Sequence, residues 1–236
     1  MAPMDGLFDR NRDIDETLLR NIVSLRTSQD LFDDLIETPE ERDVLVQAEM
    51  RIKGDISPGV IARGFHYTTA IGYPFTTQPF MLSRYGNGTY PVWYGSLDLD
   101  TTIHETAWHM HNELLAIDGL NEIVIRERAV YEVDCCAVLL DLTGKTTEYP
   151  ALTDNDYAFT QQVGHRVQGE GHPGLLAPSA RKMGGTNAVI FKEHVLDNPR
   201  NLCYLTYHFD PMNARMRVER TPGRAYITID YSHSPS

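Results

Sequence analysis

Cysteine is scarce in this chain: three among 236 residues, Cys135, Cys136 and Cys203, two of them adjacent. That number and spacing make neither a disulfide framework nor a zinc knuckle. Positive charge is also in deficit. Lys and Arg total 21 against 33 Asp and Glu, for a formal net charge of −12 and a pI near 5.1. Such a balance disfavours attraction to nucleic acid or to an anionic bilayer, because binding a phosphate array needs a basic face. It leaves room for a small cationic site that holds one phosphorylated ligand. No apolar run approaches the ~18–20 residues of a membrane helix. The opening MAPMDGLFDRNRDIDE lacks the basic and apolar regions of a signal peptide. The expectation is a reduced cytoplasmic protein, with no membrane or direct nucleic-acid contact, whose cysteines fill the core. Several catalytic signatures are missing too: G-x-S-x-G, GxGxxG and the P-loop lysine motif.

What is present reads as an ordinary globular chain, 42% hydrophobic and 23% charged. From Ile14 to Ile36 apolar residues recur at helical spacing, and Thr38-Pro39-Glu40-Glu41 starts a second helix that runs to about Ile52. Residues 1–56 are therefore expected as an N-terminal helical extension and 57–236 as the main domain. Val60–Thr68 predicts a strand. Further strands are predicted over Ile123–Ile125, Ala129–Leu142, Gly174–Pro178, Asn187–Lys192, Leu202–Phe209, Met216–Glu219 and Ala225–Ile229. Amphipathic helices are predicted after Thr102, to about Ile117, and after a cap at Asp154. The order is mixed, not a regular βαβα alternation, so the fold class is α+β with a mainly antiparallel sheet and flanking helices.

One stretch, Ser83–His111, concentrates the chemistry. Tyr85-Gly86-Asn87-Gly88 is a turn whose Asn tolerates positive φ. A β-rich run, Thr89–Tyr94, follows. Thr102 with Glu105 three residues on has capping-box spacing. Arg84 and Glu105 then stand at opposite ends of one strand–helix unit and can line one cleft. The ordinary alternatives are a helix-capping role for Glu105, surface pairing for Arg84 and core packing for Tyr94. His104 and His109 invite a zinc reading, but at i and i+5 they point about 140° apart on a helix, so no metal is expected. His109 and His111 also face different ways. A second informative place is Leu175-Leu176-Ala177-Pro178-Ser179-Ala180-Arg181, an apolar strand running into a small hydroxyl residue, with Asn187 beyond.

Together these segments resemble the RES domain, named for an arginine, a glutamate and a serine. The resemblance rests on Ser83-Arg84-Tyr85, Val92-Trp93-Tyr94-Gly95-Ser96, Thr102-Ile103-His104-Glu105, and Ala177-Pro178-Ser179 with Asn187-Ala188-Val189 following. It covers about residues 60–210. Proteins of this kind are similar to toxin halves of bacterial toxin–antitoxin pairs with an Xre-like antitoxin partner. Their fold is similar to that of ADP-ribosyltransferase toxins, and the implied substrate is NAD⁺, with no metal. The family's first strand commonly carries an aromatic–arginine pair. Here it reads Arg63-Gly64-Phe65-His66-Tyr67, so Arg63 or His66 takes that place.

The resemblance implies Glu105, Arg84 and Ser179 as catalytic residues and Arg63, His66, Tyr67, Arg84, Tyr94 and Asn187 as NAD⁺-binding residues. The chemistry is consistent. Cleaving the nicotinamide–ribose bond develops positive charge at the ribose, which a carboxylate such as Glu105 can stabilise. Arg84 can clamp a pyrophosphate, Tyr94 or Tyr67 can stack on a ring, and Ser179 and Asn187 can orient a ribose or the carboxamide. The expected activity is NAD⁺ glycohydrolase or phosphorolase. A protein ADP-ribosyltransferase on the same site, or a non-catalytic binding module, are the alternatives. The N-terminal helices can serve antitoxin docking, a homo-oligomer or a cover over the cleft.

Overall fold

The backbone of the fold is one long strand, β3 (Val124–Asp141), on which the others assemble. The computed structural model of the chain describes residues 4, 6–24 and 68–232. The second expected helix, the strand expected from Val60 with Arg63, His66 and Tyr67, and the boundary at 56/57 lie outside the described residues. The strands are β1 (Asn11–Val23), β2 (Trp93–Ser96), β3, β4 (Gly174–Pro178), β5 (Thr186–Ile190), β6 (Leu196–Asp210), β7 (Arg215–Thr221) and β8 (Arg224–Asp230). The two long helices are α1 (Leu99–Leu115) and α2 (Ala158–Gly169). A helical turn at Thr68–Gly72 and Tyr73–Thr76 precedes β2. No helix among the described residues is long and apolar enough to cross a membrane.

The eight strands form one mixed sheet in the order β1-β2-β5-β4-β3-β6-β7-β8, and β1 pairs with β3 as well. That additional pairing closes β1, β2, β5, β4 and β3 into a ring, from which β6, β7 and β8 continue outward. Among the described strands only β3 and β4 run parallel. The fold is thus α+β with a mostly antiparallel sheet.

The N-terminal residues correct one expectation. Asn11–Val23 is a strand, not the start of a helix, paired with β3 from Asn11 opposite Leu140 to Val23 opposite Arg128. Ile14 and Leu18 are four residues apart, a spacing that returns to the same face in a helix and also in a strand, because four is a multiple of two. Leu18 enters one apolar cluster with Trp93, Val133 and Leu176, while Leu19 packs on another beneath α1. Consecutive residues reaching opposite sides are the mark of a strand.

Each helix covers its own cluster. Ile103, Ala107, Met110 and Leu114 recur at three and four residues along α1 and pack on Tyr207, Phe209, Met216 and Val218. On α2, Val163 and Val167 meet Tyr85, Tyr90, Leu175 and Val189. At full burial each such side chain contributes about 1.5–3 kcal/mol. Polar contacts of Asn21 fix β1 to what it covers. Arg128 donates from Nε to Asn21 Oδ1 (2.7 Å), and Asn21 Nδ2 donates to Tyr207 Oη (2.9 Å) and to Thr106 Oγ1 on α1 (3.2 Å).

Candidate active site

Helix α1 opens one turn earlier than the spacing predicts, and this decides the role of Glu105. The N-cap is Asp98, whose carboxylate accepts from the Thr101 backbone N–H (2.8 Å) and hydroxyl (2.7 Å). Thr102 is buried inside the helix, so the capping-box reading of Thr102 and Glu105 is overturned. Released from the helix terminus, Glu105 receives two side-chain donors. Ser179 Oγ donates to Glu105 Oε1 at 2.6 Å, and Asn187 Nδ2 donates to the same oxygen at 2.8 Å. Among the described residues Oε2 accepts no hydrogen bond. Fixed donors of this kind hold a carboxylate in one orientation.

Both donors are themselves held. Ser179 follows the buried end of β4, and its backbone N–H donates to Gly185 O (2.9 Å). Its Oγ accepts from the Arg181 and Lys182 backbone N–H groups at 3.1 and 3.0 Å. Asn187 lies in β5 beside Ser96 of β2, and Ser96 Oγ donates to Asn187 Oδ1 (2.7 Å). A carboxylate on one side and a hydroxyl on the other therefore fix which end of the amide faces Glu105. Gly185 lets this loop meet α1: a Cβ there would come within 2.4 Å of Thr101 Oγ1.

Arg84 occupies the loop before β2. Its Nη1 donates to the carbonyls of Asp154 (2.6 Å) and Leu152 (3.2 Å), and its guanidinium lies 4.6 Å from the centroid of the Tyr157 ring. Tyr94 brackets this arginine. Its hydroxyl donates to Ser83 Oγ (2.8 Å) and accepts from the Tyr85 backbone N–H (2.9 Å). Burial pushes the Tyr94 and Tyr85 phenols well above their ordinary values, so both stay protonated donors. Helix α2 presses on the same loop. Gln161 Nε2 donates to Ser83 O (3.1 Å), and a Cβ on Gly164 would fall 2.0 Å from Tyr85 O. In the turn itself the positive φ belongs to Gly88 (83°), not to Asn87, whose Oδ1 instead accepts from the Thr89 N–H and hydroxyl.

Glu105, Ser179 and Asn187 are thus joined directly. Arg84 and Tyr94 form a neighbouring braced loop, and Arg84 is close enough to depress the guanidinium pKa of Arg181. Arg181 is the residue that sequence reasoning passed over. It sits two positions beyond Ser179, with its guanidinium stacked 3.3 Å from the Trp108 ring centroid, one turn along α1 from Glu105. Burial first, then the charge of Arg84, lower its pKa, while Glu105 and Tyr157 oppose. The available signal was a cation beside a motif serine, with a tryptophan at i+3 from the motif glutamate.

The RES domain profile matches residues 49–210, more than half of the chain and the span that holds all of these residues except β1's contacts and the last strands. The chain belongs to the RES domain family. Among solved structures, a chain of the M. tuberculosis MbcT–MbcA toxin–antitoxin complex is similar at 15% identity, over 81% of this chain and 86% of that one, with a TM-score of 0.40. No curated protein matches this RES chain in sequence.

Proposed function

We propose that this RES chain is the NAD⁺-cleaving toxin of a bacterial toxin–antitoxin pair, breaking the bond between nicotinamide and ribose. The observation that carries the reading is the Glu105 carboxylate, tied through Oε1 to Ser179 and Asn187 while Oε2 accepts no bond among the described residues. A carboxylate so held can take a ribose hydroxyl on its second oxygen. It can also stabilise the positive charge that develops at the anomeric carbon as nicotinamide leaves. In the hydrolytic reaction NAD⁺ and water give nicotinamide, ADP-ribose and a proton. The N-glycosidic electron pair departs with nicotinamide, which leaves neutral, and the proton comes from water. Phosphate in place of water gives the phosphorylated ADP-ribose.

Arg84 supplies positive charge beside this carboxylate, and its fastening through the Leu152 and Asp154 carbonyls gives it a fixed place from which to meet a diphosphate. Tyr94 acts by bracing that arginine's loop and offers an aromatic face for a base. Arg63 or His66, with Tyr67, completes the nucleotide contacts, and the region around residues 1–56 receives an Xre-like antitoxin. No metal takes part, and the reaction runs in the cytoplasm.

The test is nicotinamide release from NAD⁺ by the full chain, with and without phosphate and cell extract, beside Glu105→Gln. Glu105→Gln keeps the fold and lowers turnover by on the order of 10³-fold or more, as loss of a transition-state interaction does. Near-normal turnover in that variant removes Glu105 from the chemistry. The second product names the acceptor: ADP-ribose, its phosphate, or labelled protein.

A further inference from the structure

Resting on the reading just given, we propose that Arg181, rather than Arg84 alone, is the residue that grips the diphosphate of the dinucleotide. Arg181 Nε and Nη2 are shut off from solvent and have no hydrogen-bond partner among the described residues. A buried donor without a partner carries a penalty of about 1–3 kcal/mol, more when charged, so a pair of them on one guanidinium requires a reason. Nε and Nη2 form one edge of the planar fork, the edge that meets two oxygens of a phosphate or carboxylate in bidentate fashion.

The surroundings point the same way. The Trp108 ring beneath the guanidinium, 3.3 Å from centroid to Cζ, fixes its plane and leaves the edge as the binding direction. The backbone N–H of Arg181 is anchored on Ser179 Oγ, which also donates to Glu105, so the loop that carries Arg181 is tied directly to the carboxylate on α1. The charge of Arg84 lowers the guanidinium pKa of Arg181, so two cations face the single carboxylate of Glu105 in a chain whose overall charge is −12. Two guanidinium groups held together without an intervening anion repel; a diphosphate between them removes that repulsion. Arg84 has already committed Nη1 to two backbone carbonyls. Arg181 instead holds a buried Nε–Nη2 edge that has no partner among the described residues.

The probe is inorganic pyrophosphate, titrated calorimetrically into the full chain at fixed low salt. The variants are Arg181→Gln, Arg181→Lys and, as a charge control, Arg12→Gln, whose exposed guanidinium pairs with Glu16 on β1. Arg181→Gln keeps a planar group on Trp108 and removes the charge. It weakens pyrophosphate binding by on the order of 10- to 100-fold, the range of a charged bidentate contact. Arg181→Lys keeps charge without the fork and falls between, and it carries the measurement if the glutamine variant fails to fold. In NAD⁺ turnover Arg181→Gln raises KM far more than it lowers kcat, a split that mere loosening of the loop does not produce. Binding by Arg181→Gln within about twofold of wild type, or no pyrophosphate binding by wild type, overturns the assignment. Nicotinamide release is read separately. Release by wild type with Arg181-independent pyrophosphate binding sinks this inference alone, and Arg181-dependent binding without release sinks only the NAD⁺-cleaving reading.

Discussion

Replacing Asn187 by aspartate turns the hydrogen bond at the centre of the site into a collision of charges. Asn187 Nδ2 lies 2.8 Å from Glu105 Oε1. In Asn187→Asp a carboxylate oxygen takes the place of that N–H group, so two carboxylates face each other about one hydrogen bond apart and cannot both ionise without penalty. With charge centres ~4 Å apart and an effective dielectric of ~20, the repulsion is about 4 kcal/mol. At about pH 8, where both groups seek to ionise, the variant loses most of that. At about pH 4.5 one shared proton restores a hydrogen bond and the loss shrinks to about 1 kcal/mol. The sign follows from linkage: the variant's folded state binds a proton more tightly than its unfolded state, so its stability is present at low pH and is lost as pH rises. For a chain of 236 residues the difference of about 3 kcal/mol between the two pH values corresponds to roughly 6–12 °C in Tm. The assay is thermal unfolding of wild type, Asn187→Asp and the uncharged Asn187→Leu across that pH range. An Asn187→Asp curve that runs parallel to the Asn187→Leu curve would refute the contact between Asn187 and Glu105.

Three further perturbations probe the frame around the site. Gly164→Ala places a Cβ against the Tyr85 carbonyl, a backbone atom with nowhere to go, so urea unfolding should show a loss of at least about 1–3 kcal/mol; an unchanged midpoint contradicts the close approach of α2. Tyr94→Phe removes the hydroxyl that holds Ser83 and Tyr85, costing about 1 kcal/mol per bond. NAD⁺ turnover should then show KM raised several-fold and kcat less affected, and identical kinetics dismiss the bracing of Arg84. Burial holds the His111 imidazole below its ordinary value, where its ring stacks on Tyr231 at 4.0 Å. A lowered pKa contributes stability that is complete above about 6.5 and fades as pH falls. Wild type should therefore lose more Tm between about pH 7 and pH 5 than His111→Phe, and equal losses clear His111 of the effect.

Much of the fold was legible because its signals are local. β4 matches its predicted bounds, Gly174–Pro178, and β5 to β8 fall where turn residues bracket β-branched runs. Ile123–Ile125 and Ala129–Leu142 prove to be one strand, since Arg126, Glu127 and Arg128 continue the alternation with polar side chains. The start of the chain misled because four-residue apolar spacing serves two periods, and the pairing of β1 with a strand more than a hundred residues away leaves no local trace. At the site, the RES resemblance named Glu105, Ser179 and Asn187, which the fold joins by direct hydrogen bonds. Spacing alone favoured the wrong role for Glu105, because Asp98 supplies the cap. The start of α2 shifted likewise: its N-cap is Tyr157, and Asp156 just before it, not Asp154, accepts from the Ala158 N–H (2.9 Å). Arg181 escaped notice because its meaning depends on Trp108, which approaches it only in three dimensions.

The ring of strands also sets an order on biosynthesis. β1 leaves the ribosome first yet finds its partner only when residues 128–140 follow, and its ladder edge stays open for the interval. At ~5–20 residues per second of translation, that interval lasts several seconds. Glu105 in turn waits for Ser179 and Asn187, 74 and 82 positions later. Pairings so distant place the chain among slow, topology-limited folders. A nascent or truncated chain that stops short of β5 carries the Glu105 carboxylate without Asn187, one of the two side chains that orient it.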